Sequence, residues 1–440
     1  MRPSIRPDSL PDWLAYLERL HPKGQAGIEL GLTRIMRVKV ALTQVQHCPL
    51  IIVGGTNGKG STCAYLESIY RASGYWTGCY TSPHLLAYNE RVRIDGVPVA
   101  DADLCAAFAR VEAARQQAGN VMLTYFEFGT LAAWEIFAAR RVEAAILEVG
   151  LGGRLDAVNI YTPDCAIVTG IALDHTDWLG ATREAIGFEK AGIFRAGRPA
   201  ICADADPPQS LRNHAATLGA DLRLIGRDFS FRRGNADWSF VSSEGVFEPL
   251  PFPVLRGDFQ LRNAAAVLAA VQCLQKRLPT TLAALAQGIC NARVRGRFER
   301  VQEKPAIILD VAHNPQAIGE LARNLDEMPV AEKTLAVVGM LADKDIAGAL
   351  AALDGKIDVW LLTSLPETPR GAPASTIRDA VIGLGGQIEL FPAPAAAFAR
   401  AAGLAGENDR IIICGSFYTV AAAIRALNSS SGRAECLLHA

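Results

Sequence analysis

Two α/β domains are the fold that the sequence predicts, on three observations. Short apolar runs of strand type alternate with segments whose apolar residues recur at helical spacing, the pattern of buried parallel strands joined by helices. One such run, Leu50-Ile51-Ile52-Val53, leads into Gly54-Gly55-Thr56-Asn57-Gly58-Lys59-Gly60-Ser61 and then into a helical segment from Thr62. The alternation stops at a charged stretch, Asn291–Arg300, and restarts beyond it. At 440 residues the chain exceeds what one core comfortably serves, so the expected domains are residues 1–290 and 291–440.

In the first domain the candidate strands are Leu50–Val53, Ala144–Val149, Cys165–Thr169 and Ala200–Cys202, with helical patterns at Asp103–Gln117 and Gly129–Arg140 between them. From about Leu222 to Leu255 alternating and aromatic residues with Gly and Pro predict antiparallel hairpins, and Asn263–Leu274 reads as an alanine-rich helix. In the second domain five short runs, Ala306–Leu309, Thr334–Val338, Asp358–Thr363, Gln387–Phe391 and Arg410–Cys414, alternate with helices as in a compact nucleotide-binding α/β domain. The tail from Ser429 is expected to fray.

Composition narrows the class. Half the residues are hydrophobic and a fifth charged, as in an ordinary globular enzyme. A net charge of −1 without a basic run gives no case for nucleic acid or an anionic membrane. No apolar stretch approaches a membrane span, and the N-terminus Met1–Pro7 does not read as a signal peptide. The ten cysteines lack the paired spacing of a zinc site or a disulfide framework. They are expected to be reduced thiols in the cytoplasm.

Chemistry concentrates at strand ends. Strand, glycine loop and helix is the context of a phosphate-binding loop, in which backbone N–H groups, a lysine and the helix N-terminus face the anion. Here one spacer residue is missing, and Gly60 stands where a magnesium-binding hydroxyl normally follows the lysine. A glycine turn with an incidental lysine is the plainer alternative. Glu148 closes an apolar run before Val149-Gly150-Leu151-Gly152-Gly153-Arg154-Leu155-Asp156, placing a carboxylate where a phosphate site needs a hard-cation ligand, unless it faces solvent. His175, between Asp174 and Asp177, suits a metal ligand or a satisfied loop residue equally. Lys190, in Gly187-Phe188-Glu189-Lys190-Ala191-Gly192, reads by itself as a surface lysine. Thr124-Tyr125-Phe126-Glu127 could stack a flat heterocycle beside a carboxylate or simply fill a core. Asp310 and His313 lie just past a strand of the second domain, as do Gly339–Asp345 and Cys414–Phe417.

Read together and in order, Gly-Thr-Asn-Gly-Lys-Gly-Ser, Ser-Pro-His, Leu-Thr-Tyr-Phe-Glu, Leu-Glu-Val-Gly-Leu-Gly-Gly-Arg-Leu-Asp, Ala-Leu-Asp-His-Thr, Glu-Lys-Ala-Gly-Ile, Asp-Val-Ala-His-Asn-Pro and Cys-Gly-Ser resemble one family. It is that of the bacterial bifunctional dihydrofolate synthase/folylpolyglutamate synthases, within the Mur ligase superfamily. The resemblance runs from about Trp13 to Ala423. It implies a P-loop ATPase-like N-terminal domain with a mostly parallel sheet, plus a smaller Rossmann-like α/β C-terminal domain.

The resemblance also implies roles. Thr56, Asn57, Gly58, Lys59, Gly60 and Ser61 would cradle the ATP phosphates, and Asn263, Arg297 and Asp310 would contact the nucleotide. Ser82, Glu148 and His175 would hold magnesium, with two sites implied and a monovalent cation such as K+ beside them. Lys190 would be carbamylated, a carboxylate supporting the metal. Glu29, Leu30, Gly31 and Leu32, Thr124, Tyr125, Phe126 and Glu127, and Arg154, Leu155 and Asp156 would contact the pterin substrate. Glu29 departs from the aspartate expected there. His313 would orient the incoming amine or handle its proton.

The implied activity is ATP-dependent addition of L-glutamate to dihydropteroate and to tetrahydrofolate derivatives through an acyl phosphate, in a cytoplasmic monomer without nucleic-acid or membrane partners. Folylpolyglutamate synthase activity alone, or another Mur-type amino-acid ligase, is the alternative. A cell-wall Mur ligase would need a UDP-binding domain before the loop, where only about fifty residues stand. A nucleotide switch would lack the metal-ligand set and the Asp310/His313 rim.

Overall fold

The computed structural model describes residues 7–22, 28–329 and 332–430. The described chain divides into two compact units. The first comprises 7–254 and 260–292, and the second 255–259 and the residues from Arg293.

The first unit is built on eight strands. They are β1 (Leu50–Gly54), β2 (Thr77–Tyr80), β3 (Val92–Ile94), β4 (Val97–Pro98), β5 (Ala144–Glu148), β6 (Cys165–Val168), β7 (Pro199–Cys202) and β8 (Asp221–Leu224), in the order β4-β3-β2-β5-β1-β6-β7-β8. From β2 to β8 every neighbouring pair is parallel, and only β3 and β4 turn back antiparallel at one edge. β1, β5 and β6 are buried along their whole length. Their continuous apolar runs are what a sheet covered on both faces demands. The chain places β2–β5 on one side of β1 and β6–β8 on the other. Ligands of open α/β sheets bind at such a reversal, outside the carboxyl ends of the strands. A separate antiparallel sheet, β9 (Phe229–Arg233), β10 (Asp237–Ser242) and β11 (Gly245–Pro251), supplies the expected hairpins. They start later than the alternating pattern suggested, because Asp221–Leu224 joins the parallel sheet instead.

The second unit carries β12 (Glu299–Glu303), β13 (Ala306–Leu309), β14 (Thr334–Val338), β15 (Val359–Thr363), β16 (Gln387–Phe391) and β17 (Arg410–Cys414), ordered β12-β13-β17-β14-β15-β16. All are parallel except β12, which pairs antiparallel with β13. The charged stretch read as a boundary thus runs into an edge strand, where exposed charge is tolerated and useful. Ile308, Val338, Trp360, Leu362 and Ile412 centre its core. The helix Phe417–Ser430 takes in the start of the tail expected to fray, and residues 431–440 lie outside the described residues, as do Met1–Arg6 of the N-terminal segment.

Among the described residues no helix is long and apolar enough to cross a membrane, and no two cysteines are joined. The mixed α/β architecture, with a large mostly parallel sheet followed by a smaller α/β unit, is the predicted one.

Candidate active site

Three adjacent strands deliver the first part of the site. The Val53–Glu148 and Gly54–Val168 pairings bring the glycine loop, Glu148 and the segment after β6 to one end of the sheet. The loop turns into the helix Lys59–Ala72 at Gly58, whose φ of 90° is left-handed, and a Cβ there would lie 2.7 Å from Asn263 Oδ1. Only glycine meets both demands. At Gly60, by contrast, a Cβ would meet nothing within 4 Å, so the loop opens on that side. Lys59 Nζ donates to the carbonyls of Gly55 and Thr56, both at 3.1 Å. The far wall is fixed to the loop: Thr56 N–H donates to Gly170 O at 2.7 Å, Ala172 N–H to Thr56 Oγ1 at 3.0 Å, and Thr169 Oγ1 to Asn57 O at 2.6 Å. Ser61 is buried and accepts from Gln260 Nε2 at 3.1 Å, and Gln260 in turn accepts from Asn263 at 3.2 Å. Asn263 therefore stands against the loop, and Gln260, which sequence reasoning missed, buttresses it. Its signal was its place one helical turn before Asn263.

Lys190 is not a surface residue. It is 3 % exposed, near the end of the helix Arg183–Ala191, and Arg154 N–H donates to Glu189 O at 2.7 Å, tying the loop after β5 to that helix end. Burial, then the nearby Lys59 ammonium, push its pKa down to about 7 against the pull of Asp174 and Asp156. Asp156 accepts from the backbone N–H of Leu151 at 2.8 Å and of Val158 at 3.0 Å, and burial raises its pKa to about 7. It shapes the Gly150–Asp156 loop from within.

Glu148 is buried rather than solvent-facing, and its Oε2 accepts from Ser82 N–H at 3.2 Å. His175 sits at φ 53°, capping the short helix Thr176–Leu179, with Nε2 4.0 Å from Asp174 Oδ1. Ser82 and Glu148 are thus brought together at the strand ends. Among the described residues no three His, Cys, Asp or Glu side chains are grouped as a complete metal site. A hard cation here would draw on hydroxyl, carboxylate and phosphate oxygens with one imidazole, a donor set that suits magnesium or manganese.

The segments expected to contact the substrate also converge. Thr124 caps the helix Tyr125–Ala139: its Oγ1 accepts from Glu127 N–H at 3.3 Å while Glu127 Oε2 accepts from Thr124 N–H at 2.8 Å. Thr124–Glu127 is therefore a helix start. Gly31 N–H donates to Leu155 O at 3.3 Å, joining Glu29–Leu32 to Arg154–Asp156. Arg34 ties Glu29 to Glu127. Phe126 stacks on Tyr80 with centroids 5.8 Å apart, and a Cβ at Gly150 would lie 2.7 Å from its ring. Tyr125 instead turns into the core, edge-on to Tyr88 at 5.7 Å. Arg154 pairs with Glu189 at 2.8 Å and lies over the Phe188 ring. Glu127 is buried, and its Oε1 has no hydrogen-bond partner among the described residues. Burial raises its pKa even against the backbone N–H of Thr124 and Arg34.

In the second unit Asp310 Oδ2 accepts from Phe298 N–H at 3.0 Å and Oδ1 from Ala312 N–H at 2.8 Å, and burial lifts its pKa to about 6 despite the pull of Arg297. Arg297 lies over the ring of Phe417, 5.8 Å away. His313 Nδ1 lies 2.9 Å from Val311 O, which puts the proton of a neutral ring on Nδ1 and leaves Nε2 as an acceptor. Arg297 and Asp310 thus come together within that unit.

A phosphate loop at the central strand of one α/β unit, followed by a second α/β unit, defines a Mur-type ligase: residues 53–271 match the Mur ligase middle domain and residues 296–417 the Mur ligase glutamate ligase domain. Within that class the chain belongs to the dihydrofolate synthase/folylpolyglutamate synthase family. It is 44% identical over 413 residues to the dihydrofolate synthase/folylpolyglutamate synthase of Escherichia coli (strain K12), covering 94% of each chain. It is 30% identical over 416 residues to the Bacillus subtilis (strain 168) protein of that name, covering 91% of this chain and 96% of that one. Among solved structures it resembles E. coli FolC in complex with DHPP and ADP, with TM-score 0.90, 43% identity and coverage of 96% and 98%. A bifunctional folylpolyglutamate synthase/dihydrofolate synthase with Mn, AMPPNP and L-glutamate bound matches with TM-score 0.87, 44% identity and the same coverage.

Proposed function

We infer that this chain is an ATP-dependent carbon–nitrogen ligase that adds L-glutamate to dihydropteroate, giving dihydrofolate, and to reduced folates, giving polyglutamates. The observation that carries the reading is the glycine loop at the end of β1, open at Gly60, with Lys59 held against it and the helix Lys59–Ala72 starting from it. A lysine and a helix N-terminus beside an open loop favour a polyphosphate.

An unactivated carboxylate does not react with an amine. Transfer of the γ-phosphoryl of ATP to it gives an acyl phosphate and ADP; the glutamate amine then attacks the acyl carbon, and phosphate leaves as the amide forms. Lys59, released from the Gly55 and Thr56 carbonyls, follows the charge of the transferring phosphoryl, the main demand of such a step. Ser82, Glu148 and His175 would hold magnesium, in two sites, and it would supply further positive charge there, with K+ as a companion cation. Asn263, Arg297 and Asp310 bind the nucleotide, while His313 orients the incoming glutamate amine or handles its proton. Glu29–Leu32, Thr124, Phe126, Glu127 and Arg154–Asp156 hold the pterin substrate.

Lys190 is carbamylated in the active enzyme. Its neutral amine adds to CO2, forming a C–N bond and releasing one proton, and a cation crowded by Lys59 becomes an anion. A pKa near 7 makes the neutral amine abundant where an ordinary lysine, at about 10.4, would offer almost none. The enzyme works as a cytoplasmic monomer.

Phosphate release from ATP, measured with dihydropteroate and tetrahydrofolate offered separately, each with and without glutamate, tests the reading. Glutamate-dependent release with both is expected. Release with tetrahydrofolate alone reduces the activity to folylpolyglutamate synthesis, and release with neither rejects it.

A further inference from the structure

Three carboxylate and carbonyl contacts meet on one side chain that none of the roles above uses. Arg34, in the helix Thr33–Ala41, directs Nε to Glu127 Oε2 at 2.9 Å and Nη1 to Glu29 Oε1 at 2.6 Å, while Nη2 donates to the backbone carbonyl of Glu29. All three nitrogens are thereby spent on Glu29 and on Glu127, which lies 93 residues along the chain from Arg34. Its side chain is only 19 % exposed and that of Glu127 4 %, so neither is a mobile surface pair. The other oxygen of Glu29 lies 3.2 Å from His21 Nε2, so Glu29 is gripped from two sides.

We propose that Arg34 is a positioning residue that sets the spacing between the Glu29–Leu32 segment and the helix start Thr124–Glu127, and so determines how well the shorter, aryl-carboxylate substrate is held. The inference rests on the reading of these two segments as the pterin-binding walls. Glu127 is the hinge of the argument. One of its oxygens is divided between Thr124 N–H and Arg34, and the other is buried without a partner among the described residues. A buried carboxylate oxygen without a donor is costly, and a heterocycle N–H would satisfy it. Arg34 holds that oxygen in place from behind, because a planar guanidinium bound through three nitrogens cannot swing without breaking all three bonds. Lysine, a point charge on a flexible stem, cannot span both carboxylates. The glutamate at position 29 fits this device, since its two oxygens reach Arg34 and His21 at once.

The test is steady-state kinetics of the full chain carrying Arg34→Gln and, separately, Arg34→Lys and Arg34→Ala, with dihydropteroate, tetrahydrofolate and ATP each varied. Loss of charge-assisted hydrogen bonds to buried carboxylates corresponds to roughly 10- to 100-fold in binding. KM for dihydropteroate should rise by that amount in all three variants, with a smaller rise for tetrahydrofolate, none for ATP, and kcat little changed. Guanidinium ion should restore part of the dihydropteroate KM in Arg34→Ala. Equal rises for all three substrates would show a merely structural role and overturn the proposal, as would unchanged KM for dihydropteroate or full function in Arg34→Lys. A wild-type enzyme inactive on dihydropteroate would instead strike the underlying reading, whatever Arg34 does.

Discussion

The phosphate side and the substrate side of the first unit solve opposite electrostatic problems. At the phosphate side Lys59 and Lys190 crowd each other, and the two carboxylates near Lys190, Asp156 and Asp174, do not offset its burial. At the substrate side Arg34 is matched by Glu29 and Glu127, the helix start is capped by its own residues, and the aromatic ring of Phe126 already has a stacking partner in Tyr80. One side buries a lysine that the neighbouring carboxylates do not hold as a cation. The other is organised by the protein itself, which lowers the ordering cost of holding a flat ligand. The difference teaches where to look for strong effects. Substitutions on the phosphate side should change chemistry, and those on the substrate side should change fit.

The largest effect should come from Lys59→Ala. The loop backbone would still bind phosphate weakly, but the charge that follows the γ-phosphoryl would be gone. Removing stabilisers of this kind costs about 10²–10³ in rate, roughly 2.7–4 kcal/mol. A circular-dichroism spectrum and melting temperature like those of the wild type, with turnover reduced by that factor, is the expected pair of results. Near-normal turnover would place the phosphate side outside the mechanism.

Lys190 gives the second break point, through pH. Its pKa in the ligand-free folded protein is about 7, well below the ordinary value for the unfolded chain. Between those two values the unfolded state binds more protons, so this group makes the protein more stable as pH rises from about 7 to about 10.5, by up to about 1.4 kcal/mol per pH unit. Below pH 7 that contribution is absent. Melting temperatures of the ligand-free, CO2-free protein should therefore climb with alkalinity relative to Lys190→Met. Parallel pH profiles for the two proteins would mean that Lys190 is not held in the way described. With labelled bicarbonate, carbon NMR should show a carbamate resonance that Lys190→Ala lacks. If wild type shows none and the variant remains active, the carbamate is discarded.

How legible these two sides were follows from the range of the contacts that build them. The glycine loop is local: a strand, four glycines and a lysine within a dozen residues, and the apolar runs of β1, β5 and β14 announce themselves because both faces are buried. Short strands such as β2, Thr77–Tyr80, and β3, and the edge strands β4 and β12, did not, since a few mixed residues or an exposed edge carry no such run. The burial of Lys190 was hidden because the loop tied to its helix end, at Arg154, is far off in sequence. Arg34 was hidden for the same reason. The Thr124-x-x-Glu127 capping box was in plain view, a local signature overlooked in favour of the aromatic pair inside it.

Phe126→Ala sharpens the comparison from the substrate side. The ring packs between Tyr80 and the bare backbone of Gly150, so its loss opens one wall without touching a charge. Dihydropteroate carries its reacting carboxylate close to the pterin, whereas tetrahydrofolate carries it one glutamate further out. A single acyl phosphate site therefore serves both only if the pterin has two positions. Dihydrofolate formation should fall about tenfold, the scale of one lost aromatic contact, and polyglutamate extension less. Equal losses would argue for one shared pterin position.

The smallest effect belongs to Thr124, and it separates two roles that share one residue. Its hydroxyl oxygen accepts from Glu127 N–H, satisfying one of the donors that a helix start leaves without an intrahelical partner. Replacing such a cap by alanine costs about 1 kcal/mol. Serine keeps the oxygen and removes only a methyl group. If Thr124 serves mainly as the cap, Thr124→Ala should melt a few degrees below wild type while Thr124→Ser matches it, and KM for dihydropteroate should track the melting temperature across the pair. If its side chain also touches the substrate, Thr124→Ser should raise KM at unchanged stability. The first outcome would extend the substrate side's self-sufficiency down to a single hydroxyl, committed to the protein before any ligand arrives; the second would show that even this side keeps one contact in reserve for its ligand.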